Sequence, residues 1–143
     1  MTRATLSATR PNLKLRSLWW AIPLAAVIAA AFNAFVFTVG DAIGAFPSNV
    51  IIPNAGAPLT LPPVIFSSVV GVALGGIVFA LLGRFTSRPV WIYRSVGVIV
   101  LILSFATPLT IPDAPLVMVG VLELMHVVAG VTALWLLPRL VRR

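Results

Sequence analysis

Four stretches of the chain run almost without a charged side chain: residues 18–40, 63–82, 90–107 and 115–137. Each is close to the roughly 20 apolar residues that a helix needs to cross about 30 Å of hydrocarbon. The runs are continuous rather than alternating, and backbone groups in lipid must be satisfied within their own segment, so helices are expected and a barrel is not. The fold class this predicts is all-α, a four-helix transmembrane bundle. Its punctuation agrees. Thr60 ahead of Pro62-Pro63 and Asp113 ahead of Pro115 read as capping side chains before a first-turn proline. Pro89 opens the third run in the same way, and Pro138 is expected to stop the fourth.

Composition strengthens this pattern. Hydrophobic residues make up 60% of the 143 and charged residues 9%, against roughly 45–50% and about 25% in soluble proteins. So few charges cannot cover a water-exposed surface. The first apolar run is also longer than the roughly 7–15 residues of a cleaved leader, so it is expected to stay as a span. There is no cysteine, which removes disulfides, thiolate metal sites and thiol chemistry.

The net charge of +7 changes the picture through its placement. Arg3, Arg10, Lys14 and Arg16 precede the first run, Arg84, Arg88 and Arg94 surround the gap between the second and third, and Arg139, Arg142 and Arg143 close the chain. The other two gaps hold no Lys or Arg. Such one-sidedness is the positive-inside pattern and predicts both termini in the cytoplasm, in a bacterial inner membrane. No nucleic-acid motif accompanies the charge, so nucleic acid is not an expected partner. Trp19, Trp20, Trp91, Tyr93 and Trp135 fall at the same ends and read as an interfacial aromatic belt. The organisation expected is a basic, disordered arm over 1–17, a membrane domain over 18–138 and a basic tail over 139–143, with the arm resting on anionic lipid headgroups.

An internal echo suggests duplication. Pro58-Leu59-Thr60-Leu61-Pro62 returns as Pro108-Leu109-Thr110-Ile111-Pro112, each copy ahead of an inward-running span. Two repeated helical hairpins, related by an axis along the membrane normal, would produce this. The outer loop over 41–62 is much longer than its counterpart and is expected to form an extended excursion or to pack over the bundle mouth.

Candidate chemistry is sparse. Glu123 and His126 stand three apart, on one face of the fourth helix. Counting from Pro115 at about 1.5 Å per residue puts them roughly 12 and 17 Å deep, and Asn33 on the first helix about 10 Å deep. Ionisable groups at such depth mark candidate sites, so Glu123, His126 and Asn33 form a possible intramembrane protonation site. The competing account is internal glue, because buried polar groups must be bonded whatever they do. A Glu-x-x-His pair also occurs in di-metal bundles, but those need a second copy and further carboxylates, so no metal and no cofactor are expected. Ser67, Ser68 and Ser104 have no evident catalytic partners and are expected to bond their own backbone. Small residues mark packing faces: Ser67, Gly71 and Gly75 on the second helix, Gly120 and Gly130 on the fourth, Gly97 on the third, and alanines on the first.

The basic arm, four short-looped spans and the stretch Leu124-Met125-His126-Val127-Val128-Ala129-Gly130 resemble a family of small bacterial membrane proteins of unknown function, mostly from actinobacteria. The resemblance covers about 19–137 and implies a four-helix membrane protein, without a reaction. Three functions follow as expectations. The first is a non-enzymatic accessory or structural protein associating with lipids, itself or a membrane partner. The second is a small transporter or proton-linked channel subunit working through Glu123 and His126. The third is a lipid-interacting membrane enzyme.

Overall fold

A computed structural model describes residues 15–141. Most of the arm expected over 1–17 and the last two residues of the tail lie outside the described residues. The remainder of the arm, Leu15–Ser17, is a 3-10 turn that leads directly into α1 (Leu18–Ala42). There follow α2 (Leu61–Phe85), α3 (Pro89–Ser104), the single turn α4 (Ala106–Leu109), α5 (Leu116–Val131), a π-helical turn (Thr132–Leu136) and α6 (Leu137–Val141). Together they make four helices long and apolar enough to cross a membrane: Leu18–Ala42, Leu61–Phe85, Pro89–Leu109 and Leu116–Val141. The chain is an all-α bundle and a multi-pass membrane protein.

Helix ends differ from expectation where the backbone chemistry differs. The first helix passes Gly40 and ends at Ala42, because the residue that supplies a left-handed turn is Gly44, at φ 74°. Gly44 N–H returns to the Asp41 carbonyl and Ala45 N–H to the Gly40 carbonyl, a Schellman termination. Thr60 is the N-cap of α2, but its side chain makes no capping bond. Asp113 does not cap α5 either; it sits at φ 56°, a conformation Asp tolerates in turns, and Pro115 occupies the cap. The third span breaks at Phe105. Pro108 has no N–H to offer the Ser104 carbonyl four residues back, so α3 stops and one further turn restarts as α4. The fourth span does not stop at Pro138: it runs through to Val141 after widening into the π turn.

The spans stand in a ring, α1 against α2, α2 against α3, α3 against α5 and α5 against α1, with the α1–α2 pair the most extensive. The alanines of α1 explain this. Ala21, Ala25, Ala26 and Ala29 are buried, and they let α2 approach closely. On α2 the seam runs through Ser68, Val72, Gly76 and Phe79. A Cβ on Gly76 would come within 2.6 Å of the Ile22 side chain, so only glycine fits there.

Two apolar clusters fill the interior. One, toward the termini, gathers Leu18, Ala25, Val72, Phe79, Tyr93, Leu134 and Leu137. The other joins Phe37, Val64 and Met125 under Phe46 and Leu59 of the long loop. That loop packs on the bundle: Phe46 stacks on Phe37 with centroids 4.8 Å apart, Val50 is buried, and a bridge between Ile52 and Ala57 closes a turn through Gly56. Outside, large apolar residues such as Phe32, Phe66, Ile99 and Leu103 are exposed all round the bundle, as a lipid-facing surface requires. The two Pro-Leu-Thr-x-Pro segments take different conformations. In the first, 58–60 are irregular and α2 begins at Leu61, whereas in the second Pro108 and Leu109 end α4 and α5 begins only at Leu116.

Candidate functional site

The three polar residues singled out in the sequence go to three places. Asn33, 4% exposed, lies on the α1–α2 seam between the two apolar clusters, and its Nδ2 donates to Ser68 Oγ at 2.9 Å. Ser68 in turn spends its own proton on the Val64 carbonyl at 2.7 Å, so toward Asn33 it can only accept. This fixes the amide orientation and leaves Asn33 Oδ1 buried without a donor among the described residues. His126 turns back on its own helix, Nδ1 to the Leu122 carbonyl at 2.8 Å; since a carbonyl only accepts, Nδ1 carries the proton. Glu123 is half-buried, with Oε2 enclosed and unpartnered among the described residues. No three His, Asp or Glu residues group as a metal-ligand set among the described residues.

His126 instead lines a lateral groove between α2, α3 and α5, about 450 Å³ in volume. Its walls are Gly71, Gly75 and Val78 from one side and Val96, Val100, Gly130 and Ala133 from the other. Tyr93 and Ser104 add hydroxyls, but both are engaged, Ser104 Oγ with the Leu101 carbonyl at 2.7 Å. A volume of this size lies within the roughly 300–1,000 Å³ of ligand-sized pockets. The small residues divide by role. Gly130 and Gly97 receive the Leu101 and Leu134 side chains across the α3–α5 seam, and Gly75 sits 3.1 Å, measured from an ideal Cβ, from Tyr93 Oη. Gly71 and Gly120 face open space, and Ser67 bonds the Val64 carbonyl. Met118 and Met125 are both interior packing residues.

A second constellation was not apparent from the sequence, and it centres on Pro138. In the π turn Leu137 N–H bonds the Thr132 carbonyl, five residues back. The Ala133 carbonyl would then look to residue 138 in the same register, and the Leu134 carbonyl to residue 138 in the α register; residue 138 is proline and has no N–H. Two adjacent residues of α3 fill both positions. Tyr93 Oη donates to the Ala133 carbonyl at 3.2 Å, and Arg94 Nε to the Leu134 carbonyl at 3.1 Å. Tyr93 is therefore no interfacial anchor like the exposed Trp19 and Trp91; it is 3% exposed and packs on Phe79 with centroids 4.8 Å apart. Arg94 also lies over the Trp135 ring, 4.7 Å from its centroid, and Arg139 faces the same ring at 5.7 Å. A proline inside an apolar span, with a Tyr-Arg pair one to two turns into the neighbouring span, was the available signal.

The model of a family of unknown function (DUF6069) matches residues 13–143. No curated protein and no solved structure matches the chain.

Proposed function

We propose a role for a chain that belongs to the family of unknown function DUF6069: a non-enzymatic accessory protein of the bacterial cytoplasmic membrane that associates with a second copy of itself. Its topology is four crossings with both termini cytoplasmic. The confinement of all ten Lys and Arg residues to the arm, the 84–94 region and the tail supports this orientation. Duplication of a helical hairpin is supported by the recurrent pentapeptide, whose two copies have since diverged in backbone conformation.

The groove between α2, α3 and α5 carries the proposal. It is apolar, exposed Leu74, Val78, Val96 and Val100 are among its lining, and Gly71 in its wall has nothing within 4 Å of an ideal Cβ. A helix of a second copy can approach such a wall closely, in the manner of small-residue contacts between transmembrane helices. Transport through Glu123 and His126 has less support, since Asn33 bonds Ser68 and His126 bonds its own helix rather than each other. A lipid-directed enzyme would need a nucleophile, and the hydroxyls of Ser67, Ser68 and Ser104 all donate to backbone carbonyls.

Energy transfer between donor- and acceptor-labelled copies in vesicles tests the proposal. Transfer above the level of random proximity is expected, lost in Gly71→Leu and retained in Gly120→Leu, which fills open space on another face. Random-level transfer for the wild type, or equal loss in both variants, would refute self-association through the groove.

A further inference from the structure

Arg94 and Arg139 form a cationic site at an end of the bundle where no acidic side chain of the sequence lies. Both guanidinium groups face the one Trp135 ring. Two cations close to one ring repel each other, and a neighbouring anion offsets that repulsion. Three acidic side chains exist in the entire sequence, Asp41, Asp113 and Glu123. Asp41 is in the last turn of α1, Asp113 lies in the loop before α5 and Glu123 is the eighth residue of α5, whereas Arg94 is near the start of α3 and Arg139 is in α6. No carboxylate side chain is available at that end of the bundle. An anion from outside the chain is the counter-charge that such a pair would attract.

The surroundings specify what kind. Arg94 lies five residues into α3, about 7–8 Å below its start, where a lipid headgroup meets the first carbons of its chains. Its Nε is held by the Leu134 carbonyl, which Pro138 leaves without a helical donor, so the guanidinium is fixed and its remaining N–H groups are not needed by the fold. Beside it lies a crevice of about 580 Å³ lined by Val90, Trp91, Arg94, Ser95 and Val98. Arginine and serine at the middle of this crevice, with Val98 one turn deeper along the helix, match a phosphodiester followed by the start of an acyl chain. We infer that Arg94, Arg139 and Trp135 hold the headgroup phosphate of an anionic phospholipid, with the glycerol and the start of a chain along Ser95 and Val98. The apolar wall favours lipid over free phosphate as the source of the anion. The site is separate from the groove and does not rest on self-association.

Native mass spectrometry of the full-length protein, extracted from nanodiscs of phosphatidylcholine mixed with phosphatidylglycerol, reads the site directly. Wild type is expected to retain phosphatidylglycerol in preference to phosphatidylcholine, and excess inorganic phosphate is expected to leave that retention unchanged. Arg139→Gln removes one cation without touching the Arg94–Leu134 bond, and a loss of retention greater than the roughly fivefold that diffuse attraction of one surface basic residue gives is expected. Arg84→Gln, a basic residue on the same side but away from Trp135, is expected to change retention far less. Circular dichroism of each variant checks that the bundle is intact. Equal losses in Arg84→Gln and Arg139→Gln would mean diffuse attraction and overturn the site, as would displacement by inorganic phosphate or the absence of any preference for phosphatidylglycerol.

Discussion

Tyr93→Phe combined with Pro138→Ala isolates the joint between the third and fourth spans. Tyr93→Phe deletes one oxygen and leaves the ring, with its packing on Phe79, in place. What is lost is the donor to the Ala133 carbonyl, for which the backbone has no substitute because Leu137 N–H is committed to Thr132 and residue 138 is proline. Interhelical hydrogen bonds in membrane proteins average about 0.6 kcal/mol and reach about 1.7 kcal/mol. Leaving a buried acceptor unmade costs about 1–3 kcal/mol. With no alternative donor, the upper part of the first range and the lower part of the second apply, and Tyr93→Phe should destabilise the bundle by about 1–2 kcal/mol. Pro138→Ala restores an N–H that reaches the Ala133 or Leu134 carbonyl, so it should recover a good part of that loss in the Tyr93→Phe background and matter little alone. Reversible unfolding in mixed micelles, run as a double-mutant cycle, measures the coupling, which should exceed about 0.5 kcal/mol as expected for residues sharing one network. Effects that add to within about 0.3 kcal/mol would show that Tyr93 and Pro138 do not share a carbonyl, and the account of the joint would fail.

Two further predictions concern the α1–α2 seam. Ser68→Ala removes the partner that Asn33 Nδ2 has among the described residues and should cost about 1–3 kcal/mol in the same unfolding assay, while Ser67→Ala, whose hydroxyl bonds the Val64 carbonyl of its own helix, should be close to neutral. Gly76→Ala should destabilise by about 1–3 kcal/mol through overpacking against Ile22, whereas Gly71→Ala, with open space at its Cβ, should be neutral or stabilising by up to about 1 kcal/mol from helix propensity.

Much of the fold was legible because lipid imposes a strict rule: apolar length and continuity suffice to locate a span. The four runs 18–40, 63–82, 90–107 and 115–137 fall within the four observed spans or within a residue of their ends. Boundaries were read less well wherever one residue was given a single meaning. The first apolar run ends at Gly40, yet Gly44 holds the left-handed turn and Gly40 serves to admit the Phe46 ring. Pro138 resembled a stop, but a transmembrane helix continues through proline when a neighbour supplies the missing donors. The polar residues could be ranked by depth but not by facing. Asn33, Glu123 and His126 do sit well inside their spans, but the partner of Asn33 depends on how α1 turns toward α2, and no periodicity fixes that rotation. Tyr93 and Arg94 were read for their position near a helix end, as belt and as topology signal. Their hydrogen bonds follow from the α3–α5 register, set by Gly97 against Leu134 and Gly130 against Leu101, a long-range match invisible in either helix alone.

The central claim, four crossings with both termini cytoplasmic, is tested most directly by cysteine accessibility in intact cells. The chain has no cysteine of its own, so single replacements at Asn54 in the long loop and at Ser87 between α2 and α3 report without background. A membrane-impermeant maleimide should label Asn54→Cys in intact cells and Ser87→Cys only after the inner membrane is permeabilised. Labelling of Ser87→Cys in intact cells with Asn54→Cys protected would reverse the topology and contradict the account.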